Sequence, residues 1–150
     1  MTAALDTETT QRLRIVFGRL ARVLRTTEAG LAADLTPTRV AVLLNTVRNG
    51  PIRLSDVAEQ EGLNPTLLSR TVANLARDGL VTRTADDVDR RSAWLDATTA
   101  GRELAAEIRA QRTQAVDSAL ARLSSEDRKL IEEALPALER FAQHLNRHGA

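Results

Sequence analysis

Cysteine is absent from this chain of 150 residues. Its absence excludes disulfides, cysteine-ligated zinc and any thiol redox switch. Tyrosine is absent as well, and aromatics make up only 2% of residues, so Leu, Val and Ala must supply the core of what this length makes a single domain. Seven glycines and four prolines beside 27% charged residues fit a mainly helical chain. No apolar run approaches the roughly 20 residues of a membrane-spanning helix. The opening MTAALDTETTQR lacks the basic and apolar regions of a secretory signal, so no membrane association and a cytoplasmic location are expected. Charge of one sign is also scarce. The net charge is +1, which leaves no global positive field to draw in nucleic acid. Lys129 is the sole lysine, and the bias toward arginine is more simply explained by a GC-rich genome than by arginine chemistry.

Catalytic patterns are missing too. There is no G-x-S-x-G, H-E-x-x-H, P-loop or dinucleotide glycine motif. The only histidines, His144 and His148, lie near the C-terminal end, and Glu132 and Glu133, adjacent on a helix, diverge. No catalytic residue, metal site or cofactor is expected.

What is present centres on Asn64–Leu95. Asn64 suits an N-cap and Pro65 the first helical position. Leu68, Val72 and Leu75 recur at helical spacing, with Leu67 beside them. The opposite face carries Thr66, Ser69, Arg70, Ala73, Asn74 and Arg77. Asp78-Gly79 stops the helix. Alternating runs at 80–85 and 92–96 then read as a hairpin closed by the charged turn Asp86-Asp87-Val88-Asp89-Arg90-Arg91. Upstream, 54–60 reads as a short helix with Ser55 as N-cap, and Glu61-Gly62-Leu63 as the tight turn of a helix-turn-helix. Helix, hairpin and basic tip make a winged helix.

The flanks are helical. A first helix is expected over about 7–29, with Leu13, Val16, Phe17, Leu20 and Leu24 as its apolar stripe. Its Arg12, Arg19, Arg22 and Arg25 suit a solvated face better than a nucleic-acid contact. A connector at 30–35 leads to a helix capped by Thr36 and started by Pro37. Pro51-Ile52-Arg53 could add a third strand to the wing. Thr98 or Thr99 should cap a long helix to about Arg122, and Ser124 and Asp127 should open the last one, interrupted by Pro136. Trp94 reads as a brace for the wing.

The segments LSDVAEQEGLNPTLLSRTVANLARDGLVTR and DDVDRRSAWLDATTAGREL resemble the MarR family of bacterial transcription regulators. Asp86, Asp89 and Arg91 match that family's D-x-R-D-x-R wing signature, while Val88 stands where its first arginine would be. Thr98-Thr99-Ala100-Gly101-Arg102-Glu103-Leu104 is similar to the family's entry into its long dimerisation helix. The expected architecture is therefore mainly α with a small β wing. A winged helix-turn-helix core over about 36–97 is flanked by N- and C-terminal dimerisation helices over about 7–30 and 98–147.

A major groove about 12 Å wide admits one helix, and short polar side chains let its backbone approach the bases. Ser69 and Arg70 sit mid-face, Arg suiting guanine and Asn suiting adenine. Thr66 can meet a phosphate or a thymine methyl. Asn74 and Arg77 read equally as DNA contacts or as solvated groups. The resemblance implies that one wing arginine enters the minor groove and another holds the loop. Arg90 is assigned to the tip and Arg91 to a pair with Asp86 or Asp89. From 66 to 91, five arginines face four aspartates, so affinity must come from where the arginines point. The terminal apolar stripes call for a partner, a second copy of the chain, and the dimer would read a pseudo-palindromic operator with half-sites about 10 bp apart. The resemblance also implies a small aromatic or phenolic ligand. Phe17, Val40, Leu44 and Ile108 are the candidate lining, and they suit a core better. The expected function is a homodimeric repressor bound to double-stranded DNA; the alternative is a winged-helix module that binds protein.

Overall fold

Side chains just outside each helix explain where most of them start. The computed structural model describes residues 6–87 and 92–147, the last two by backbone alone. In chain order the elements are α1 (Thr7–Arg25), α2 (Glu28–Ala32), α3 (Pro37–Asn49), β1 (Ile52–Arg53), α4 (Leu54–Glu61), α5 (Pro65–Arg77), β2 (Val81–Ala85), β3 (Ala93–Ala97), α6 (Thr99–Leu120) and α7 (Ser125–Arg147). The Asn64 carboxamide oxygen accepts from the Leu67 amide at 2.8 Å, and the Thr98 and Ser124 hydroxyls accept from Gly101 and Asp127 at 3.0 Å each. Thr36 does the same for α3, and Pro37 and Pro65 occupy the first turns. Such caps contribute about 1 kcal/mol apiece.

The three strands form one antiparallel sheet in the order β1-β3-β2. Leu95 of β3 lies between Ile52 and Arg83, and Trp94 between Arg53 and Thr84. Alternation turns Ala93, Leu95 and Ala97 inward. Against that face pack Leu43 of α3, Val57 of α4, and Leu68, Val72 and Leu75 of α5, joined by Ala105 and Ile108 of α6. The fold is thus mainly helical with a small β wing, and its core lies inside the winged helix. Among the described residues, no helix is long and apolar enough to cross a membrane.

Two polar devices fix the angles between elements. Asn45, buried on α3, donates to Gln60 at 3.0 Å and Glu61 at 2.7 Å, tying α3 to the end of α4. Beyond it Gly62 turns the chain at φ 62°, a left-handed conformation that glycine adopts at little cost. The start of α6 is held on the turn after α5. Thr98 donates from its hydroxyl to the Gly79 carbonyl at 2.7 Å and from its amide to the Leu80 carbonyl at 3.1 Å. Gly101 packs so closely that any Cβ there would run into the Leu80 carbonyl.

Several boundaries differ from expectation. The first helix stops at Arg25 rather than near Ala29: Thr26 is extended, and the Thr27 hydroxyl caps α2. That break turns Ala29 and Gly30 into the core, where the Ala29 amide donates to Gln111 at 3.0 Å. A helix therefore occupies much of the expected connector. Arg53, not Ser55, sits at the N-cap of α4, with no side-chain cap; the Ser55 hydroxyl bonds Asp56 instead. The first wing strand starts one residue late, at 81–85, because Leu80 continues the helix-ending turn and its amide donates to the Leu75 carbonyl, and the second lies one residue on, at 93–97. The α6 helix ends at Leu120, and α7 runs through Pro136 without interruption. A proline removes one helical bond but need not end a helix held by its other turns.

Replacing Gly101 by Ala should cost about 1–3 kcal/mol by overpacking, read as a fall in Tm of roughly 2–4 °C per kcal/mol at fixed protein concentration. An unchanged melting curve would show that α6 can back away from Leu80 freely.

Candidate nucleic-acid interface

Helical periodicity divides α5 into two faces. Leu68, Thr71, Val72 and Leu75 are buried, whereas Thr66, Ser69, Arg70 and Arg77 are exposed and Asn74 is half-buried. The Thr71 hydroxyl is spent on its own helix, donating to the Leu67 carbonyl at 2.8 Å. Arg70 makes no hydrogen bond or ion pair among the described residues, so its guanidinium fork is available to a ligand. Arg77 lies 3.5 Å from Asp78 in an exposed pair, a contact of little energetic weight in water. The five expected reading residues therefore share one helix, four of them solvent-facing.

The base of the wing is held by a buried carboxylate. Asp86 is 7% exposed, with Arg53 Nη2 at 3.1 Å from its Oδ2 and the Trp94 indole N–H donating to the same oxygen at 3.1 Å. The Arg53 guanidinium also lies 5.1 Å from the centre of the Trp94 ring, within cation–π range. A charge so buried is tolerable only when paired and hydrogen-bonded. Trp94 thus braces the wing. Arg53 is the residue that sequence reasoning missed. The expected third strand contained it, but only the register, Arg53 opposite Trp94, brings it to Asp86. Asp89, Arg90 and Arg91, with Val88, lie outside the described residues, as does the tip to which the groove-entering arginine was assigned.

Three hollows bear on function. One, of about 370 Å³, lies between the start of α4, the first turns of α5 and the wing strands; Ser55, Ser69, Arg83 and Ser92 line it. Arg112 of α6 borders the other two, one of about 340 Å³ lined by Leu24, Thr27 and Gln111 among others, and one of about 360 Å³ lined by Arg25, Thr38 and Glu61 among others. The Arg112 Nε is buried with no hydrogen-bond partner. Burial lowers the pKa of this guanidinium from its ordinary value, yet an arginine stays charged at neutral pH.

Of the four candidate cleft residues, Val40, Leu44 and Ile108 belong to one core cluster, the reading they suited better, and Val40 also borders a small hollow of about 40 Å³. Phe17 stacks on Phe141 of α7, ring centres 5.8 Å apart. An apolar stripe marks the inward side of a helix without telling filled space from open space, and here the inward side is filled. The lining that does occur is largely polar, and Arg112 was not singled out. Its mark in the sequence is slight, a single arginine among the small residues of α6. No group of acidic or histidine side chains among the described residues could hold a metal.

Comparison with known proteins agrees with this geometry. A family model described as the MarR family matches residues 33–92, from the end of α2 to the start of β3. An HTH-type transcriptional regulator of Bacillus subtilis, YwhA, is 26% identical over 102 residues, covering 68% of this chain and 73% of that protein. Streptococcus pneumoniae FabT, solved in complex with DNA, shares the fold with a TM-score of 0.67 at 18% identity, over 92% of this chain and 97% of its own. NadR, solved in complex with 4-hydroxyphenylacetate, does so with a TM-score of 0.63 at 22% identity, over 92% and 96%. In its wing and helix-entry motifs, its matched segment and its helix-strand order, the chain resembles the MarR family of winged helix-turn-helix transcription regulators.

Proposed function

We propose that this regulator is a homodimeric repressor that reads a pseudo-palindromic operator and leaves it when a small aromatic anion binds. The family consists of regulators rather than enzymes. The observation that carries the reading is the exposed polar face of α5, with Arg70 at its middle unpaired among the described residues. Thr66, Ser69, Arg70, Asn74 and Arg77 are its groove-facing set, and Arg90 and Arg91 its wing contacts. Asp86, braced by Arg53 and Trp94, and Asp89 hold the wing in place. The reading lobe spans about 36–97, and the dimerisation region about 7–30 and 98–147. The fold that this chain shares with a DNA-bound neighbour supports the assignment. A protein that acts on bacterial DNA works in the cytoplasm.

Dimerisation is supported by what α1 and α7 leave uncovered. Neither α1 nor the described part of α7 buries a residue. Val16, Leu20 and Val23 on α1 and Leu130, Leu135, Phe141 and Leu145 on α7 are each 41–66% exposed. Two adjoining helices with apolar sides open to water mark an interface. Ligand release is supported by the hollows bordered by Arg112, whose uncompensated guanidinium suits a carboxylate. NadR's 4-hydroxyphenylacetate is an aromatic carboxylate of the size such a space accepts. An inducer acts only by binding the DNA-incompetent arrangement better than the competent one.

Sedimentation at micromolar concentration should give about twice the 16.4 kDa of one chain; a monomer would remove the interface. Genome-fragment selection at about 150 mM salt should recover one palindromic sequence. Arg70→Ala should weaken that binding by about 1–3 kcal/mol and relax preference at one base position. Equal affinity for random duplex would argue for a protein-binding module instead. A panel of phenolic carboxylates, starting with 4-hydroxyphenylacetate, should release wild-type protein from the recovered operator but not Arg112→Gln. Release of both alike would move the ligand elsewhere.

A further inference from the structure

We propose that the hollow between α4, α5 and the wing seats the phosphodiester backbone of the DNA, with Arg83 as its anchoring cation. The inference rests on the DNA-binding reading and deepens it by naming what this groove holds. Its starting point is a broken alternation. Residues directly opposite in an antiparallel pair share a face of the sheet, and Arg83 lies opposite Leu95. Leu95 is fully buried and points into the core, as does Val81 two residues before Arg83 on the same strand. Position 83 therefore lies on the inward face, where strand patterning calls for an apolar residue. An arginine occupies it, exposed and without any hydrogen bond or ion pair among the described residues.

The place where that side chain emerges explains the departure. The core stops short of the wing, and beyond it lies the hollow of about 370 Å³ into which Arg83 opens. Three hydroxyl side chains from three segments line the same space: Ser55 at the start of α4, Ser69 on α5 and Ser92 before β3. None of the described residues lining it is acidic. Arg53 borders it as well, but its guanidinium is committed to Asp86. The Ser55 hydroxyl is given to Asp56, but among the described residues Arg83 and the hydroxyls of Ser69 and Ser92 remain to suit a phosphodiester, which carries a single negative charge and several acceptor oxygens. They do not suit a base edge, which would need fixed paired donors at groove depth.

The topology puts the backbone in the same place. When α5 enters the major groove and the wing reaches the adjacent minor groove, the sugar-phosphate strand dividing the two grooves must pass between them. The hollow is the space between them. Arg83 is thus a sequence-independent anchor that sets the register of α5 on the duplex, whereas Arg70 reads bases. Backbone contacts of this kind position a protein without carrying sequence information.

Salt dependence separates the two roles. Binding of the recovered operator and of random duplex is measured from about 50 to 200 mM salt for wild type, Arg83→Ala, Arg83→Lys and Arg70→Ala. Loss of one phosphate contact per subunit should flatten the slope of log affinity against log salt by roughly 0.9, or roughly 1.8 for a dimer. Arg83→Ala should show that flattening on both DNAs, weaken both by the same factor and melt like wild type, and Arg83→Lys should restore the slope. An unchanged slope in Arg83→Ala would overturn the proposal. So would a loss that lysine does not rescue, or a loss confined to one operator position. Wild-type protein that binds all duplexes equally, with an Arg83-dependent slope, would refute operator recognition while upholding the seat. Wild-type protein that binds no duplex would refute both.

Discussion

A tight approach at Gly101 joins α6 to the turn between α5 and β2. Gly101, in the first turn of α6, lies against the Leu80 carbonyl with no room for a Cβ, and Thr98 spends both its hydroxyl and its amide on the same turn. That turn ends α5 and begins β2. The reading helix, the wing and the long helix are therefore fastened at one corner, so a tilt of α6 must carry α5 with it. Close-packed contacts of this kind tend to switch between discrete arrangements rather than deform smoothly. The hollows bordered by Arg112 lie further along the same helix.

Electrostatics here works by subtraction. A chain of net charge +1 cannot hold DNA by bulk attraction. It commits some arginines and leaves others free: Arg53 to Asp86, Arg77 to Asp78, Arg102 to Asp96 at 2.9 Å. Among the described residues, Arg70 and Arg83 carry no such commitment, and both belong to the surface formed by α5 and the wing.

Much of this was readable beforehand, and the rest failed for physical reasons. The cap at Asn64, the proline after it, the buried triad Leu68, Val72 and Leu75 and the polar face opposite are local matters of spacing and side-chain chemistry, and they announce α5 directly. The glycine turns at 62 and 79 did likewise. The break at Thr26-Thr27 did not, because the stripe of α1 runs up to it and only the burial of Ala29 and Gly30 against distant α6 makes the break favourable. Arg53 and Arg83 escaped notice because their roles depend on strand register, which no single stretch of chain reveals. Val40, Leu44 and Ile108 were legible as inward-facing but not as tightly packed, since periodicity carries no information about volume.

The brace at the wing base has an optical consequence. With no tyrosine and one tryptophan in the chain, essentially all its near-ultraviolet emission arises at Trp94. That indole donates to Asp86 and lies beside a guanidinium, two charges of opposite sign whose fields set its emission energy. Any event that loosens the carboxylate or draws Arg53 away changes that local field. The protein therefore carries an intrinsic fluorophore at the base of its own wing, and its colour reports the state of the Arg53–Asp86 ion pair.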